Sequence, residues 1–532
     1  MSDADAALGA ATARRFTATR AALVAFAAVE VAGAAVYVVN GRKVWFFGVF
    51  GDEWDFLAGR RLTLPDLLLR HGDHLVALPA LVFRLLYEVF GLRTYLPYQL
   101  VAIGLHLVAA ALLRVVMRRA GVQPWIATAA AGLFVLFGAG SQDILIAFQM
   151  TFSGALALGL AQLVLADHHG PLDRRDAFGL AAGLGALLCS DVAIVMIAAV
   201  GLALALRRRW RAVALHTAPL AGVYLAWALA YGRGARTDFH LSRVASSVRT
   251  SLAAAFGALG QVPFGGWALA ALLVIGVAMI ARADGSWRPE LAPVVALGGA
   301  ALLFVTMLAV TRYGLGAQFA RSSRYLHIVA ALLLPALAVA ADAIARHRRA
   351  LALLVIALLV MGVPGNITKV ARNAGPAARY REQRRVIESL PRVKLARSVP
   401  RTLHPTPSFA AEVTVGWLLD GVRAGRIPVA RRPTAREHTT DVLRLSLEQL
   451  DGKGPAPCVA LRAPVTRRLA RGDSFGITGA VDVQALRTGR SVASQPLPFG
   501  TSLLATAPTH TLRAIRTMRV RIAPRNSRAG LC

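Results

Sequence analysis

Apolar runs long enough to cross a lipid bilayer recur from Ala21 to Gly365 and then stop. A membrane-spanning helix needs about 20 such residues. Only 17% of the 532 residues are charged, against about 25% in a soluble domain. This composition excludes a disordered chain and argues against a soluble enzyme. Aromatic residues are scarce and Ala and Leu abundant, which favours helices over the alternating strands of a membrane barrel. The sequence therefore predicts a mainly α, polytopic transmembrane helix bundle.

Eleven spans are predicted from these runs. They cover residues 19–40, 96–117, 123–138, 149–166, 177–189, 191–206, 213–231, 264–281, 291–311, 325–343 and 350–364. The fifth and sixth are short and meet at 189–191, as tilted half-length helices or as a re-entrant pair buried in protein. Charged residues in or before the first run, with no small-residue cleavage site after it, argue against a cleaved signal peptide.

Basic residues predict the orientation. With a cytoplasmic amino terminus, the inner loops are 114–123, 167–176, 207–212, 281–290 and 344–350. These loops hold 14 Lys or Arg in 43 residues, and the short outer segments hold 14 in 111. Because cytoplasmic loops are enriched in Lys and Arg, we expect residues 1–18 in the cytoplasm. Eleven spans then place the carboxy-terminal region outside the plasma membrane.

The region after the spans is predicted to divide in two. The transmembrane domain covers 19–365 and carries a long first outer loop, 41–95. Residues 366–454 show helical patterns, and residues 455–532 show short alternating runs broken by Gly, Pro and Asp, which suits a small β-sandwich.

Cys458 and Cys532 lie near the two ends of the β-rich segment. An extracytoplasmic location permits disulfides, so we predict that this pair closes the domain. The alternative is two free thiols.

The first outer loop carries a concentrated group of acidic residues. Asp52, Glu53 and Asp55 surround Trp54. A carboxylate here can act as a general base toward a sugar hydroxyl or position a divalent cation, and the indole can stack on a sugar. The alternative is structural, with the acids capping a short interfacial helix.

Further along the loop, His71 and His74 are three residues apart, with Gly72 between them. They could ligate a metal, contact substrate or make structural hydrogen bonds. Residues 75–90 then place apolar side chains on one helical face, which predicts an amphipathic helix on the outer leaflet.

Two further polar clusters interrupt the apolar sequence. Gln142, Asp143 and Gln149 follow the third span, where polar groups at membrane depth need protein or ligand partners. Residues 321–325, at the start of the tenth span, include two arginines and a tyrosine, Arg321, Arg324 and Tyr325. They suit a clamp for a lipid-linked phosphate, or the arginines simply reach from the helix end into the headgroups.

Together these features resemble the GT-C superfamily of multi-spanning glycosyltransferases, in the form found in uncharacterised actinobacteria. The resemblance rests on the acidic 52–53 pair in a long outer loop, the amphipathic helix after it, the segments 141–149 and 321–325, and some eleven spans followed by an outer domain. It covers about residues 15–365.

The resemblance implies a polyprenyl-phosphate-linked sugar as donor, such as arabinofuranose or mannose, and a cell-wall or other envelope glycan or lipid as acceptor. Asp52, or else Glu53, would deprotonate the acceptor hydroxyl for an inverting transfer. Arg321 and Arg324 would hold the phosphate leaving group. A divalent cation, Mg²⁺ or Mn²⁺, is permitted but not required.

Two other functions stay open. A transporter or flippase of a lipid-linked glycan should show repeated halves, and we find no such repeat in the sequence. A non-catalytic envelope-assembly protein would keep the bundle and bind glycan through its basic tail. Nucleic acid is not an expected partner despite a net charge of +32, because the basic residues are spread over loops and an outer domain.

Overall fold

The computed structural model describes most of the chain. The described residues are 3–41, 47, 51–232, 241–283, 288–312, 317–373, 377–407, 409–429, 434–450, 458–478, 481–487, 490–496, 510–524 and 529–531. They fall into two compact units. One comprises Met1–Val44, Thr63–Leu81 and Leu96–Gly375, and the other Trp45–Leu62, Val82–Tyr95 and Pro376–Cys532. We call them the helical unit and the tail unit.

The α-helices are numbered in chain order. They are α1 (Asp3–Gly41), α2 (Asp52–Trp54), α3 (Leu64–Leu68), α4 (Ala77–Phe90), α5 (Leu96–Arg119), α6 (Pro124–Val135), α7 (Ser141–Leu145), α8 (Met150–Ala166), α9 (Arg174–Leu187), α10 (Val192–Leu206), α11 (Trp210–Tyr231), α12 (Leu241–Gly260), α13 (Gly265–Ala283), α14 (Ala292–Thr311), α15 (Ser323–His347), α16 (Ala352–Val360), α17 (Val363–Asn373), α18 (Ala377–Ser389), α19 (Val415–Arg423) and α20 (Ala435–Arg444).

Nine helical segments in the described part of the chain are long and apolar enough to cross a membrane. They are Thr17–Gly41, Leu96–Arg119, Pro124–Leu145, Ala147–Ala166, Trp210–Tyr231, Gly265–Arg282, Pro289–Thr311, Ser323–His347 and Ala352–Arg372. The short α9 and α10, of 14 and 15 residues, correspond to the predicted fifth and sixth spans. The predicted multi-pass helical fold is confirmed.

Helix α12 lies in a segment predicted only as an outer loop. Its hydroxyl side chains lower its hydropathy but still suit a helix. Thr250 Oγ1 donates to the Ser246 carbonyl at 2.8 Å, and Ser251 Oγ to the Ser247 carbonyl at 2.9 Å. These bonds satisfy the side chains within the helix itself.

The last membrane segment continues beyond its predicted end at 364, because the helix resumes as α17. Asn366 is fully buried there. Its Nδ2 donates to the carbonyls of Ala258 and Gly362, at 3.1 and 3.0 Å, and its Oδ1 accepts from the Ala139 N–H at 2.9 Å. An asparagine usually indicates a loop in a sequence, but here its side chain packs between helices with its hydrogen bonds made.

Small residues let the spans approach closely. A Cβ added to Gly276 of α13 would lie 2.4 Å from the backbone oxygen of Ala340 in α15. This contact therefore requires glycine, as is common where membrane helices pack through their backbones. The resulting core is built mainly from Ala, Leu and Val.

The tail unit includes most of α4, which agrees with the helix predicted at 75–90. Phe83 and Tyr87 are buried, and the Tyr87 ring stacks on Trp417 of α19 with centroids 5.4 Å apart. Leu85 and Val89 are 53% and 73% exposed. This helix therefore has one packed aromatic face and one exposed apolar face.

A buried ion pair joins α18 to α20. Asp441 is fully buried, and its Oδ2 accepts from Ser389 Oγ at 2.6 Å and from Arg385 Nη1 at 3.2 Å. The hydroxyl and guanidinium offset the cost of burying the carboxylate.

Nine β-strands follow in the described part of the tail. They are β1 (Leu447–Leu450), β2 (Val459–Ala460), β3 (Val465–Leu469), β4 (Ser474–Thr478), β5 (Val481–Arg487), β6 (Arg490–Pro496), β7 (His510–Ala514), β8 (Met518–Pro524) and β9 (Gly530–Leu531). They form two antiparallel sheets, with strand orders β1-β7-β4-β9-β2 and β3-β8-β5-β6.

The predicted β-rich domain is therefore confirmed. The first strand begins at Leu447, before the predicted boundary at 455, because β1 pairs along its whole length with β7. The core comes from apolar residues that alternate along the strands, including Phe475, Ile477, Val481 and Val483.

Of the predicted disulfide, Cys532 lies outside the described residues. Val459 of β2 pairs with Leu531 of β9, and these two residues are the sequence neighbours of Cys458 and Cys532. The pairing supports the disulfide, which stays a prediction.

Candidate functional site

The acidic segment of the first outer loop is a tight helical turn in the tail unit. Gly51 has a φ of 84°, in the left-handed region that favours glycine. It directs the chain into α2, which carries Asp52, Glu53 and Trp54. A single π-helical turn then covers Asp55–Gly59. Such turns are rare and occur frequently at functional sites.

The three carboxylates of this turn have different surroundings. Glu53 is fully buried, and its Oε1 accepts a hydrogen bond from the Tyr95 hydroxyl at 3.1 Å. Asp55 Oδ2 accepts from Arg60 Nε and Nη2 at 2.9 and 2.7 Å. The Asp55 carboxylate is therefore held in an ion pair with Arg60. Asp52 is partly exposed, so a substrate hydroxyl can reach it more easily than Glu53.

Trp54 is fully buried in the tail unit. Its ring lies 6.2 Å from Phe47 and 6.3 Å from Trp417, centroid to centroid. The side chain belongs to an aromatic core, and the predicted stacking on a sugar would require it to leave that core.

His71 and His74 form a tight hairpin in the helical unit instead of a helical turn. Each residue's N–H donates to the other's carbonyl at 3.0 Å, around Gly72 with a φ of 56°. The His71 ring packs on Phe148, with centroids 5.3 Å apart. The two imidazoles have different neighbours, since the His74 ring contacts Asp191 and Arg312.

His74 belongs to a charged cluster whose other members come from distant parts of the chain. Its Nδ1 lies 2.9 Å from Asp191 Oδ2, between α9 and α10, and its Nε2 lies 3.3 Å from Arg312 Nη2 at the end of α14. Arginine can only donate, so Nε2 must accept and Nδ1 must carry the proton donated to Asp191. The two neighbours thereby fix one neutral tautomer of His74. Arg312 Nη1 also lies 3.9 Å from Asp73 Oδ2.

This cluster borders a cleft of about 100 Å³ in the helical unit. The other walls are apolar and come from α8, α10, α14 and α15, with Phe152, Phe304, Leu308 and Tyr325 among the lining residues. Tyr325 is 4% exposed. Asp73 and Asp191 also line the cleft, so its polar end holds two carboxylates beside Arg312 and His74. The guanidinium beside an aromatic and aliphatic wall can bind the anionic headgroup of an amphiphile.

The sequence interpretation did not identify Arg312, and it considered Asp191 only as a residue lining the path of a transporter. Asp191 had one usable signal, since it lies at the polar break between two short apolar helices. Arg312 resembles any basic residue at a helix end, and nothing in its local sequence links it to the first outer loop.

The second and third polar clusters meet in the helical unit. The Gln142 N–H donates to Ser323 Oγ at 3.2 Å, and Ser323 Oγ donates to the Ala139 carbonyl at 2.6 Å. Segments predicted separately at 141–149 and 321–325 are thus bound directly to each other.

Asp143 ends a buried chain of two histidines that the sequence interpretation also missed. His106 Nε2 faces the Val135 carbonyl at 3.1 Å, His106 Nδ1 faces His327 Nε2 at 2.9 Å, and His327 Nδ1 lies 3.2 Å from Asp143 Oδ2. Asp143, His106 and His327 are all fully buried. The carbonyl requires a proton on His106 Nε2, so His106 Nδ1 accepts from His327 Nε2–H. His327 Nδ1 is then left with a lone pair, and neither it nor the Asp143 carboxylate has a hydrogen-bond partner among the described residues.

The remaining predicted residues differ in accessibility. Gln149 is 1% exposed, and neither of its amide atoms has a hydrogen-bond partner among the described residues. Arg321 is exposed. The Arg324 guanidinium lies over the rings of Phe319 and Tyr325, 5.4 and 5.1 Å from their centroids. Aromatic packing therefore occupies one face of the predicted phosphate clamp.

Metal-ligand spacing occurs at one group among the residues that the structure describes: His168, Asp173 and Asp176. Asp176 Oδ2 accepts from His168 Nε2 at 3.0 Å and from the Asp173 N–H at 2.9 Å, and its Oδ1 lies 3.2 Å from His216 Nε2. Asp173 and Asp176 form the capping box of α9. Helix capping and hydrogen bonds account for this group, which lies on a predicted inner loop.

Known proteins offer few matches to the chain. No protein-family model and no curated protein matches it. Its structure is similar to the apo crystal structure of ArnT from Cupriavidus metallidurans, with 16% identity and a TM-score of 0.45, over 79% of this chain and 87% of that chain. A match this distant assigns no donor, acceptor or mechanism to this multi-pass membrane protein.

Proposed function

We propose that the protein is a membrane glycosyltransferase that uses a polyprenyl-phosphate-linked sugar as donor and an extracytoplasmic envelope glycan or lipid as acceptor. The observation that carries the proposal is the cleft in the helical unit, where Arg312 and His74 lie beside apolar walls. An isoprenoid chain suits those walls, and a phosphate suits the guanidinium. This arrangement supports a donor that stays in the membrane.

The proposed reaction is an inverting transfer. Asp52 takes the proton of the acceptor hydroxyl, the hydroxyl oxygen bonds to the anomeric carbon, and the bond from that carbon to the phosphate oxygen breaks. The polyprenyl phosphate leaves as an anion, so it needs no general acid. Arg312 neutralises the leaving phosphate, and Asp191 holds His74 in the tautomer that accepts from Arg312.

The choice of Asp52 rests on its partial exposure, compared with the burial of Glu53 and the ion pair of Asp55. Removal of a positioned general base slows an enzyme by about 10²–10⁴-fold. Asp52→Asn should therefore abolish most transfer while leaving donor binding intact.

The test is transfer from a panel of radiolabelled polyprenyl-phosphate sugars to a crude envelope-glycan acceptor, with the purified full chain in lipid. Asp52→Asn is compared with Asp66→Asn, which changes a carboxylate of the same loop outside the acidic turn. Turnover lost only in Asp52→Asn supports the base. Full activity in Asp52→Asn excludes that role. Binding of every donor without turnover would favour a transporter or an assembly protein.

A second pair of variants tests the phosphate site. Arg312→Gln should weaken donor binding about tenfold or more, as expected for loss of a charge-assisted contact to phosphate. Arg321→Gln, which changes an exposed arginine of the originally predicted clamp, should have a smaller effect. The reverse order would return the phosphate to the 321–325 segment. A parallel reaction with EDTA tests the divalent cation.

A further inference from the structure

A second, larger cleft lies in the helical unit, at the end of the bundle formed by three of the predicted inner loops. Its volume is about 280 Å³. The loops 114–123, 281–290 and 344–350 each contribute one arginine to its lining: Arg119, Arg288 and Arg346. Nothing in the proposed transfer reaction uses this cleft.

The charge of the cleft is positive. Two carboxylates, Asp342 and Glu290, also line it. Asp342 is 6% exposed and already accepts from Arg346 Nε at 2.5 Å and from the Gln123 N–H at 2.9 Å. Glu290 is exposed and is therefore the carboxylate that would repel an anion in the cleft.

The start of a long helix adds to the positive potential. The 20-residue α14 begins at Ala292, directly after a 3₁₀ turn at Pro289–Leu291, and Leu291 lines the cleft. The first turn of a helix carries partial positive charge. The Ala292 N–H donates to the Pro289 carbonyl and Pro293 has no N–H, so α14 contributes through this charge. Together with the arginines, it makes the cleft suitable for a phosphate group.

Part of the cleft lining is apolar. Val122, Ile280 and Val339 line it. On α13, one to two turns before Ile280, Val274 and Val277 are 68% and 51% exposed. A ligand whose phosphate contacts the arginines could therefore lay a hydrocarbon chain along α13. Free phosphate would not use that surface.

We propose that this cleft binds the phosphate headgroup of an anionic phospholipid from the leaflet that faces these loops. The site is independent of the proposed transfer reaction and of its donor. General attraction of basic loops to anionic lipid is the competing explanation, and it predicts no difference between arginines inside and outside the cleft.

The experiment is native mass spectrometry of the full chain in neutral detergent, titrated with phosphatidylglycerol or phosphatidylcholine. The double variant Arg119→Gln/Arg288→Gln should bind phosphatidylglycerol about tenfold or more weakly than wild type, since each basic residue near a membrane surface contributes about fivefold. Arg211→Gln, an exposed inner-loop arginine outside the cleft, is the control. An equal loss in the control would overturn the proposal.

A second variant is expected to strengthen lipid binding, which distinguishes a loss of the site from unfolding of the protein. Glu290→Gln removes the exposed carboxylate of the cleft and should strengthen phosphatidylglycerol binding several-fold, which damage to the fold would not do. Unchanged or weaker binding in this variant contradicts the proposal. A third titration uses inorganic phosphate as competitor. Displacement of the lipid by phosphate at similar concentrations would reject the lipid as the ligand in favour of a soluble phosphate.

Discussion

The buried chain of His106, His327 and Asp143 makes a specific prediction about a proton. The Val135 carbonyl fixes the direction of donation, so His327 Nδ1 has a lone pair that faces Asp143 at 3.2 Å. Asp143→Asn offers an amide N–H donor to that nitrogen. Asp143→Leu offers no donor and leaves the histidine nitrogen buried. The two variants should therefore differ in stability although both remove the carboxylate.

The size of the difference follows from the burial. Each member of the chain is fully buried, so water cannot replace a lost donor. A buried acceptor left without a donor costs about 1–3 kcal/mol. We expect Asp143→Leu to lower the free energy of unfolding by about this amount relative to Asp143→Asn.

The assay is denaturant unfolding of the detergent-purified protein, followed by tryptophan fluorescence, for both variants with and without His327→Leu. With His327 absent, the advantage of Asn over Leu should be lost or reversed, because no lone pair remains to be satisfied and the buried amide N–H has lost its acceptor. Equal destabilisation by Asn and Leu in the presence of His327 would refute the proton assignment.

Three further predictions concern the tail unit. Trp54→Ala should lower the free energy of unfolding by about 3–5 kcal/mol, since the ring is fully buried; lost transfer activity at unchanged stability would instead indicate a substrate contact. The Cys458–Cys532 disulfide predicts one reactive thiol in the denatured, unreduced chain and three after reduction, and three in both conditions would contradict it. Burial raises the pKa of Asp441 above its usual value, so the folded protein holds this proton more tightly than the unfolded chain and loses that stabilisation as pH rises through the raised pKa. Arg385→Gln should therefore lower the free energy of unfolding by about 3 kcal/mol at pH 7, where the carboxylate is charged and loses its cation. The loss should be smaller at pH 4. A loss in thermal unfolding that does not depend on pH would contradict this prediction.

The sequence predicted the spans well because a run of about 20 consecutive apolar residues is rare in proteins outside membrane-spanning helices. It failed where polar side chains are satisfied inside helices. The Ser and Thr hydroxyls of α12 bond to the preceding turn, and Asn366 bonds to three backbone groups. The sequence therefore missed the α12 helix and ended the last span too early. Whether a polar side chain finds a hydrogen-bond partner inside a helix depends on the three-dimensional structure, which the amino-acid composition does not determine.

The candidate site was predictable in part for the same reason. Acidic and aromatic residues close together in one loop could be identified from sequence, which drew attention to Asp52 and His74. The surroundings of the residues in this loop could not be predicted from the sequence. The burial of Trp54, for example, depends on Trp417, far along the chain. The partners of His74 are equally distant, at Asp191 and Arg312.

The two short helices α9 and α10 also set how far the chemistry lies from the aqueous surface. Helices of 14 and 15 residues rise about 21–22 Å, less than the roughly 30 Å of a hydrocarbon core. Their junction near Asp191 is tied to the first outer loop by a backbone hydrogen bond, from the Leu78 N–H to the Leu188 carbonyl at 3.0 Å. If α9 and α10 cross the bilayer, the bilayer has to thin or admit water at this point. A lipid-linked substrate could then meet polar groups without lifting its hydrocarbon chain out of the membrane.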